Sequence, residues 1–221
     1  MNKLAYYLIA GMLLGISFFL LFLDLAEDMI NSELGLFDQT IINAVAGIRS
    51  PLMTELMKLI TAMGSPTIMI IIAVISVGFL LVVKKHSWDA IMLIIALTGA
   101  TIMDWILKLA FHRNRPIPPG LVQASGYSFP SGHAMVSLVF YGMLVYLLWV
   151  NYKPRKSTYL LTFFLVLLVL AIGISRIYLG VHYPSDVIAG YAAGGFWLTG
   201  CIMGLHTVRH LNSRQNPQIN N

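Results

Sequence analysis

Three short stretches of this chain combine the residue types that handle a phosphate ester. They read Lys108-x6-Arg115-Pro116, Pro130-Ser131-Gly132-His133 and Ser175-Arg176-x5-His182-x3-Asp186. Cations and backbone donors bind an anion, one histidine attacks or accepts a proton, and an acid orients that histidine. Arg115 offers a planar fork that matches two phosphate oxygens, whereas Lys108 is a point charge on a flexible stem. Pro130 and Ser131 suit the start of a helix, whose free N–H groups form an anion site. Gly132 lets the backbone approach a phosphate closely. His133, just inside, is placed to protonate a leaving oxygen. With Pro184 at the first helical position, Asp186 falls in the first turn and reaches back to His182, much as a capping-box acid does. That bond fixes the imidazole tautomer and leaves the other ring nitrogen to attack.

Each motif also has a plainer explanation. Lys108 can snorkel to an interface, Pro130 to His133 can be an ordinary helix start, and Asp186 can be only a cap. Arg176 is open between a third phosphate ligand and a headgroup anchor. The combination is more specific than its parts, because all three motifs fall at the ends of apolar segments that cross a membrane.

Those segments follow from composition. Of 221 residues, 58% are hydrophobic and 10% charged, with a mean hydropathy of +0.79. A soluble domain carries about 25% charged residues. The reading is an all-α, polytopic membrane protein of one domain. Spans of about 20 apolar residues are expected at Leu4–Leu23, Thr67–Val83, Trp88–Leu109, Ser131–Val150, Thr158–Ser175 and Pro184–His206. The first is too long for a signal-peptide core and has no small-x-small cleavage site after it, so it reads as a retained helix. The bundle domain is assigned to residues 1–206, and the polar segment 207–221 to a disordered cytoplasmic tail. The net charge of +5 is scattered rather than contiguous, which argues against a nucleic-acid partner. The single cysteine, Cys201, excludes an intrachain disulfide or a Cys-based metal site and reads as packing.

Lys and Arg counts orient the chain. With the amino terminus in the cytoplasm, that side holds Lys3, Lys84, Lys85, Lys153, Arg155, Lys156, Arg209 and Arg214. The other side holds Arg49 and Lys58 once Lys108, Arg113, Arg115 and Arg176 are set aside as motif residues. Both termini are then cytoplasmic and the motifs face outward, against the charge rule. Between spans one and two, Leu52, Leu56, Leu59, Ile60 and Met63 recur at helical spacing and predict a short interfacial helix, ended by Gly64-Ser65-Pro66. It is expected to be a connector that covers the bundle, the alternative being a lid.

At this point the chain resembles the type 2 phosphatidic acid phosphatase (PAP2) family, whose signature K-x6-RP, PSGH and SR-x5-H-x3-D is filled at every position from Lys108 to Asp186. The resemblance implies a catalytic set of His182 as the nucleophile that forms a phosphohistidine, Asp186 as its orienting acid and His133 as the acid for the leaving oxygen. It implies that Lys108, Arg115, Ser131, Gly132 and Arg176 bind the substrate phosphate, and that no metal or cofactor is required. The signature region has one carboxylate, too few for a Mg²⁺ site. The soluble vanadium haloperoxidases share the signature, but six spans argue against that branch. Size and compact loops resemble bacterial cell-membrane members acting on phosphatidylglycerol phosphate or undecaprenyl pyrophosphate. Tyr127, Ser128, Phe129 and the linker 117–126 are the expected determinants of headgroup choice. Two other functions fit parts of the pattern: a lipid phosphotransferase using the same intermediate, and a lipid transporter or scaffold, which gives no reason for a His182–Asp186 pair. Asp104, one turn before Lys108, is expected to pair with it.

Overall fold

The computed structural model describes residues 3–83, 86–116 and 120–215, and these fold mainly into helices, with a long connection before Gly132. In chain order they are α1 (Lys3–Ile30), α2 (Gly35–Gly47), α3 (Pro51–Met63), α4 (Pro66–Gly78), α5 (Ser87–Phe111), α6 (Gly132–Asn151), α7 (Lys156–Tyr178) and α8 (Pro184–Gln215). A π-helical turn, Phe79–Val83, extends α4. Six of them, α1, α4 with its π turn, α5, α6, α7 and α8, are long and apolar enough to cross a membrane. The polytopic, all-α expectation therefore holds. Lys84 and Lys85, residues 117–119 of the linker and residues 216–221 of the expected tail, all used in the sequence reading, lie outside the described residues.

Local chemistry sets the helix starts. Ser50 and Ser65 accept hydrogen bonds from the N–H groups of Met53 and Ile68, and Pro51 and Pro66 occupy the first turns. Two helices, α2 and α3, lie between the first and second spans where one was expected. In α3 the residues forecast as one stripe divide. Leu52, Leu56 and Leu59 are exposed on the outer surface, while Ile60 and Met63 join the core and Met53 and Met57 pack on Tyr178 and Leu179.

The centre of the bundle is α6 and α8. Half of each span is buried, against 11% for α1 and for α4 at the periphery. Small residues let α8 lie close to its neighbours. A methyl at Gly190 would meet the Ser131 carbonyl at 2.6 Å, and one at Gly194 would meet the Met135 carbonyl at 2.8 Å. Trp197 Nε1 donates to the Ala96 carbonyl and Tyr191 Oη to the Val169 carbonyl, tying α8 to α5 and α7.

The expected boundary at residue 206 is corrected. Helix α8 runs through to Gln215. Arg209 donates to both oxygens of buried Asp89 on α5, and Asn151 at the end of α6 bonds both partners. That closed cluster anchors residues 207–215 of the segment that polar composition alone assigned to a disordered tail.

Candidate active site

The three motifs come together at one end of the bundle, around a cavity of about 420 Å³. Its polar wall carries Asp104, Lys108, Arg115, Gly132, His133, Arg176 and His182. Lys108 projects from the last turn of α5, His133 from the first turn of α6 and Arg176 from the last turn of α7. Asp186 begins α8, and His182 lies in the short connection before it.

His182 is buried between an acid and a base. Its Nδ1 faces Asp186 Oδ2 at 3.4 Å, and its Nε2 lies 3.2 Å from Arg115 Nη1. The tautomer that satisfies both partners donates from Nδ1 and accepts at Nε2, so the lone pair is on the cavity side. Burial pushes the ring pKa down to about 4, against the opposing pull of Asp186 and with help from Arg115 and Arg176. The imidazole is thus neutral at ordinary pH. Asp186 also accepts from the Tyr183 N–H at 2.9 Å, so the acid both caps α8 and faces the histidine.

The cations are held differently. Lys108 pairs with Asp104, as expected, and donates to the Pro130 carbonyl at 2.9 Å. Arg115 donates to the carbonyls of Ser125, Gly126, Tyr127 and Val181, which makes it the clamp of the loop before α6 as well as a cavity residue. Arg176, read from sequence as part of an outer loop, is instead helical and buried. Its Nη1 donates to Thr61 Oγ1 at 2.8 Å, and its Nε–H finds no acceptor among the described residues. Gly64 lets the turn between α3 and α4 close over the site, since a methyl there would meet His133 Cδ2 at 3.2 Å and Ile172 Cγ2 at 2.7 Å.

Ser131 is buried at the N-cap of α6, next to the cavity residues Gly132 and His133, and its hydroxyl has no partner among the described residues. The first turn of α8 packs over it: its N–H donates to the Asp186 carbonyl, its own carbonyl lies against Gly190, and its hydroxyl makes no cap. Gly132 lies against Asp104, where a methyl would meet Oδ2 at 2.6 Å. The expected headgroup determinants also change. Ser128 bonds the carbonyls of Arg113 and Asn114, and Phe129 packs between Phe22 and Phe111, so both are structural. Gln123, Ala124 and Ser125, from the linker that was also expected to shape headgroup choice, do line the cavity.

Two residues to which the sequence reading gave no catalytic role reach the site. Arg113, inside the first motif's spacer, pairs with Asp186, and Asp38 of α2 pairs with Arg113. The spacing of Arg113 gave no signal beyond proximity to the motif. Asp38 carries no local sequence signal, and only its burial marks it.

A multi-pass bundle that gathers cations, two histidines and an acid around a cavity at one membrane face is the architecture of a membrane-embedded phosphatase. The PAP2 superfamily pattern matches residues 89–209. Phosphatidylglycerophosphatase B of Bacillus subtilis is 33% identical over 181 residues, which cover 81% of this chain and 88% of that protein. An undecaprenyl-diphosphatase of Sulfolobus acidocaldarius is 32% identical over 128 residues, 55% of this chain and 57% of that protein. The crystal structure of a transmembrane PAP2 type phosphatidylglycerolphosphate phosphatase from Bacillus subtilis superposes with a TM-score of 0.80 at 30% identity, covering 88% of this chain and 96% of that one. LpxE of Aquifex aeolicus shares the fold, with a TM-score of 0.59 at 23% identity over 76% of this chain and 94% of that one. The chain belongs to the PAP2 superfamily and is a multi-pass membrane phosphatase.

Proposed function

We propose that this enzyme removes phosphate from lipid phosphates or diphosphates, without a metal, through a phosphohistidine on His182. The observation that carries the lipid assignment is the shape of the cavity. Below its cations it continues between α4 and α5, lined by Pro66, Met69, Ile70, Leu97, Thr101 and Val136. From Lys108 to Leu97 the wall descends about 16 Å along α5. Ile70 is 57% exposed on the outside of the bundle, so this groove opens sideways where acyl or polyprenyl chains lie. A soluble phosphate ester has no use for that depth of apolar wall.

His182 Nε2 attacks phosphorus, and the bond to the leaving oxygen breaks as His133 hands that oxygen a proton. Asp186 holds the Nδ1 proton and the positive charge that develops on the ring. Water then attacks the phosphohistidine while His133 takes a proton back, and inorganic phosphate leaves. Lys108, Arg115 and Arg176, with the first N–H groups of α6 beside Gly132, bind the phosphate oxygens and meet the transition-state charge. Ser131, which the family resemblance places in this set, is the N-cap residue beside Gly132, and its hydroxyl has no partner among the described residues.

The similarity to phosphatidylglycerophosphatase B and to an undecaprenyl-diphosphatase supports phosphatidylglycerol phosphate and undecaprenyl pyrophosphate as substrates. Lys153, Arg155, Lys156 and Arg209 lie at the end opposite the cavity, which supports an outward-facing site by the positive-inside rule. The test is phosphate release by the purified enzyme under excess chelator, with both lipids, for the native chain and His182→Ala. Release by the native chain and a loss of at least about 10³-fold in the variant are expected. Retained turnover in His182→Ala would overturn the mechanism. Release only when an acceptor lipid is added would point to phosphotransfer.

A further inference from the structure

Asp38 lies outside all three motifs, on α2, and is only 2% exposed. A carboxylate is buried at that level only when its charge and lone pairs are met. Its Oδ1 accepts the Ser185 N–H at 2.9 Å, and its Oδ2 accepts the Ser185 hydroxyl and Arg113 Nη2, both at 2.7 Å. Arg113 continues the chain of contacts. Its Nη1 donates to Asp186 Oδ1 at 2.6 Å and to Ser185 Oγ at 2.8 Å, and its guanidinium lies 4.1 Å over the Tyr183 ring. One planar cation therefore bridges two carboxylates, a task that needs its fork geometry.

The bridge fixes the acid that faces His182. Oδ1 of Asp186 is held by Arg113 and Oδ2 by the Tyr183 N–H, which leaves the carboxylate one orientation, with Oδ2 toward the imidazole. Arg113 alone would draw the charge of Asp186 away from the histidine. Asp38 shares that guanidinium and restores the balance. We propose that Asp38 and Arg113 are positioning residues for the His182–Asp186 pair, and that the surface helix α2 is thereby built into the active site. This rests on the reading of His182 as nucleophile and Asp186 as its orienting acid.

A purely structural dock would also bury these groups, so the test needs a readout that docking does not move. The groups around His182 are Asp186 from α8, Arg176 from α7, His133 from α6, Lys108 from α5 and Arg115 from the loop. Those around Asp186 are Arg113, Asp38 and Tyr183. Removing the charge of Arg113 leaves Asp186 to act on His182 alone, which raises the pH at which the ring protonates. Removing the charge of Asp38 does the reverse.

The experiment measures kcat, KM and the acid limb of kcat/KM on phosphatidylglycerol phosphate, for the full chain in detergent, with unfolding midpoints as the folding control. Asp38→Asn is expected to lower kcat about 10–100-fold with KM little changed, as losses of such supporting contacts do. Asp38→Glu is expected to recover part of that loss. Arg113→Gln is expected to move the acid limb upward and Asp38→Asn to move it downward. Should Asp38→Asn fail to fold, Arg113→Lys carries the test, because a lysine keeps the charge but cannot bridge both carboxylates. An unchanged kcat in Asp38→Asn or Arg113→Lys overturns the proposal, and so do limbs that stay in place in both charge variants. Turnover retained in His182→Ala would instead sink the underlying mechanism, so the two failures are distinguishable.

Discussion

Each end of the bundle buries ionised groups, yet the two clusters are built to opposite rules. At the end away from the cavity, Asp89 meets Arg209, and Asn151 bonds both, so the charges sum to zero and the ionised groups are satisfied within the chain. At the cavity end, Asp104 answers Lys108, while Asp38 and Asp186 share Arg113. Arg115 and Arg176 have no carboxylate partner among the described residues, and Arg176 keeps a buried Nε–H without an acceptor. The first cluster is closed and holds helices together. The second has surplus positive charge and donor capacity aimed at a cavity. An unpaired polar atom alone does not mark a site, since Tyr146 at the closed end also has a buried hydroxyl without a partner among the described residues. The surplus of charge is what separates the ends.

That contrast is broken or sharpened most directly by cutting one arginine at each end. Arg176→Met is expected to lower kcat/KM by about 10²–10³-fold, the usual loss when one donor to a transition-state oxyanion is removed, with the unfolding midpoint nearly unchanged. Arg209→Met should do the converse. It leaves Asp89 buried without its cation, at about 3 kcal/mol in stability, while the folded fraction turns over at the native rate. Thermal unfolding in detergent alongside activity per folded molecule measures both. Equal losses of activity at the two ends would erase the distinction.

A smaller effect follows from pH. Because burial pushes His182 from the ordinary 6.5 to about 4, its ring stays neutral as pH falls, and with His182 as the proposed nucleophile its limb of kcat/KM is expected near pH 4. Activity is lost below that value, where the ring protonates. The substrate phosphate ionises near pH 6 and adds a limb of its own. Comparing a monoester with a diphosphate separates them, since a limb common to both belongs to the enzyme. A common limb near 6.5 would mean the ring sits in water rather than in the buried setting observed.

The legible part of this molecule was the part governed by local rules. Span positions followed from runs of apolar residues, and the pairing of Lys108 with Asp104 followed from one helical turn. The break at Gly64-Ser65-Pro66 and the reach of Asp186 toward His182 are equally local. What failed depended on contacts distant in sequence. Asp38 lies 147 residues from Ser185, so nothing near it in the chain distinguished it from a solvated acid. Segment 207–215 is polar by composition, but its Arg209 bonds Asp89, 120 residues away. Phe129 and Ser128 carried the types of a headgroup pocket, and only the packing against Phe22 and Phe111 and the bonds to Arg113 and Asn114 reassign them.

The smallest expected effect tests whether the cavity end contains any purely supporting charge. Asp104 lines the cavity but pairs with Lys108, and its carboxylate lies against the Gly132 Cα. Lys108 keeps a second anchor in the Pro130 carbonyl, so Asp104→Asn loosens the lysine without freeing it. A displacement of that size is expected to lower kcat by about tenfold. The same change adds net positive charge beside the phosphate, so inhibition by inorganic phosphate should tighten as turnover falls. Gly132→Ala presses a methyl onto the same carboxylate and should reproduce the kcat loss with no gain in phosphate affinity. If Asp104→Asn left kcat, phosphate inhibition and stability all at native values, Asp104 would be a tolerated neighbour, and Lys108 would owe its position to Pro130 alone.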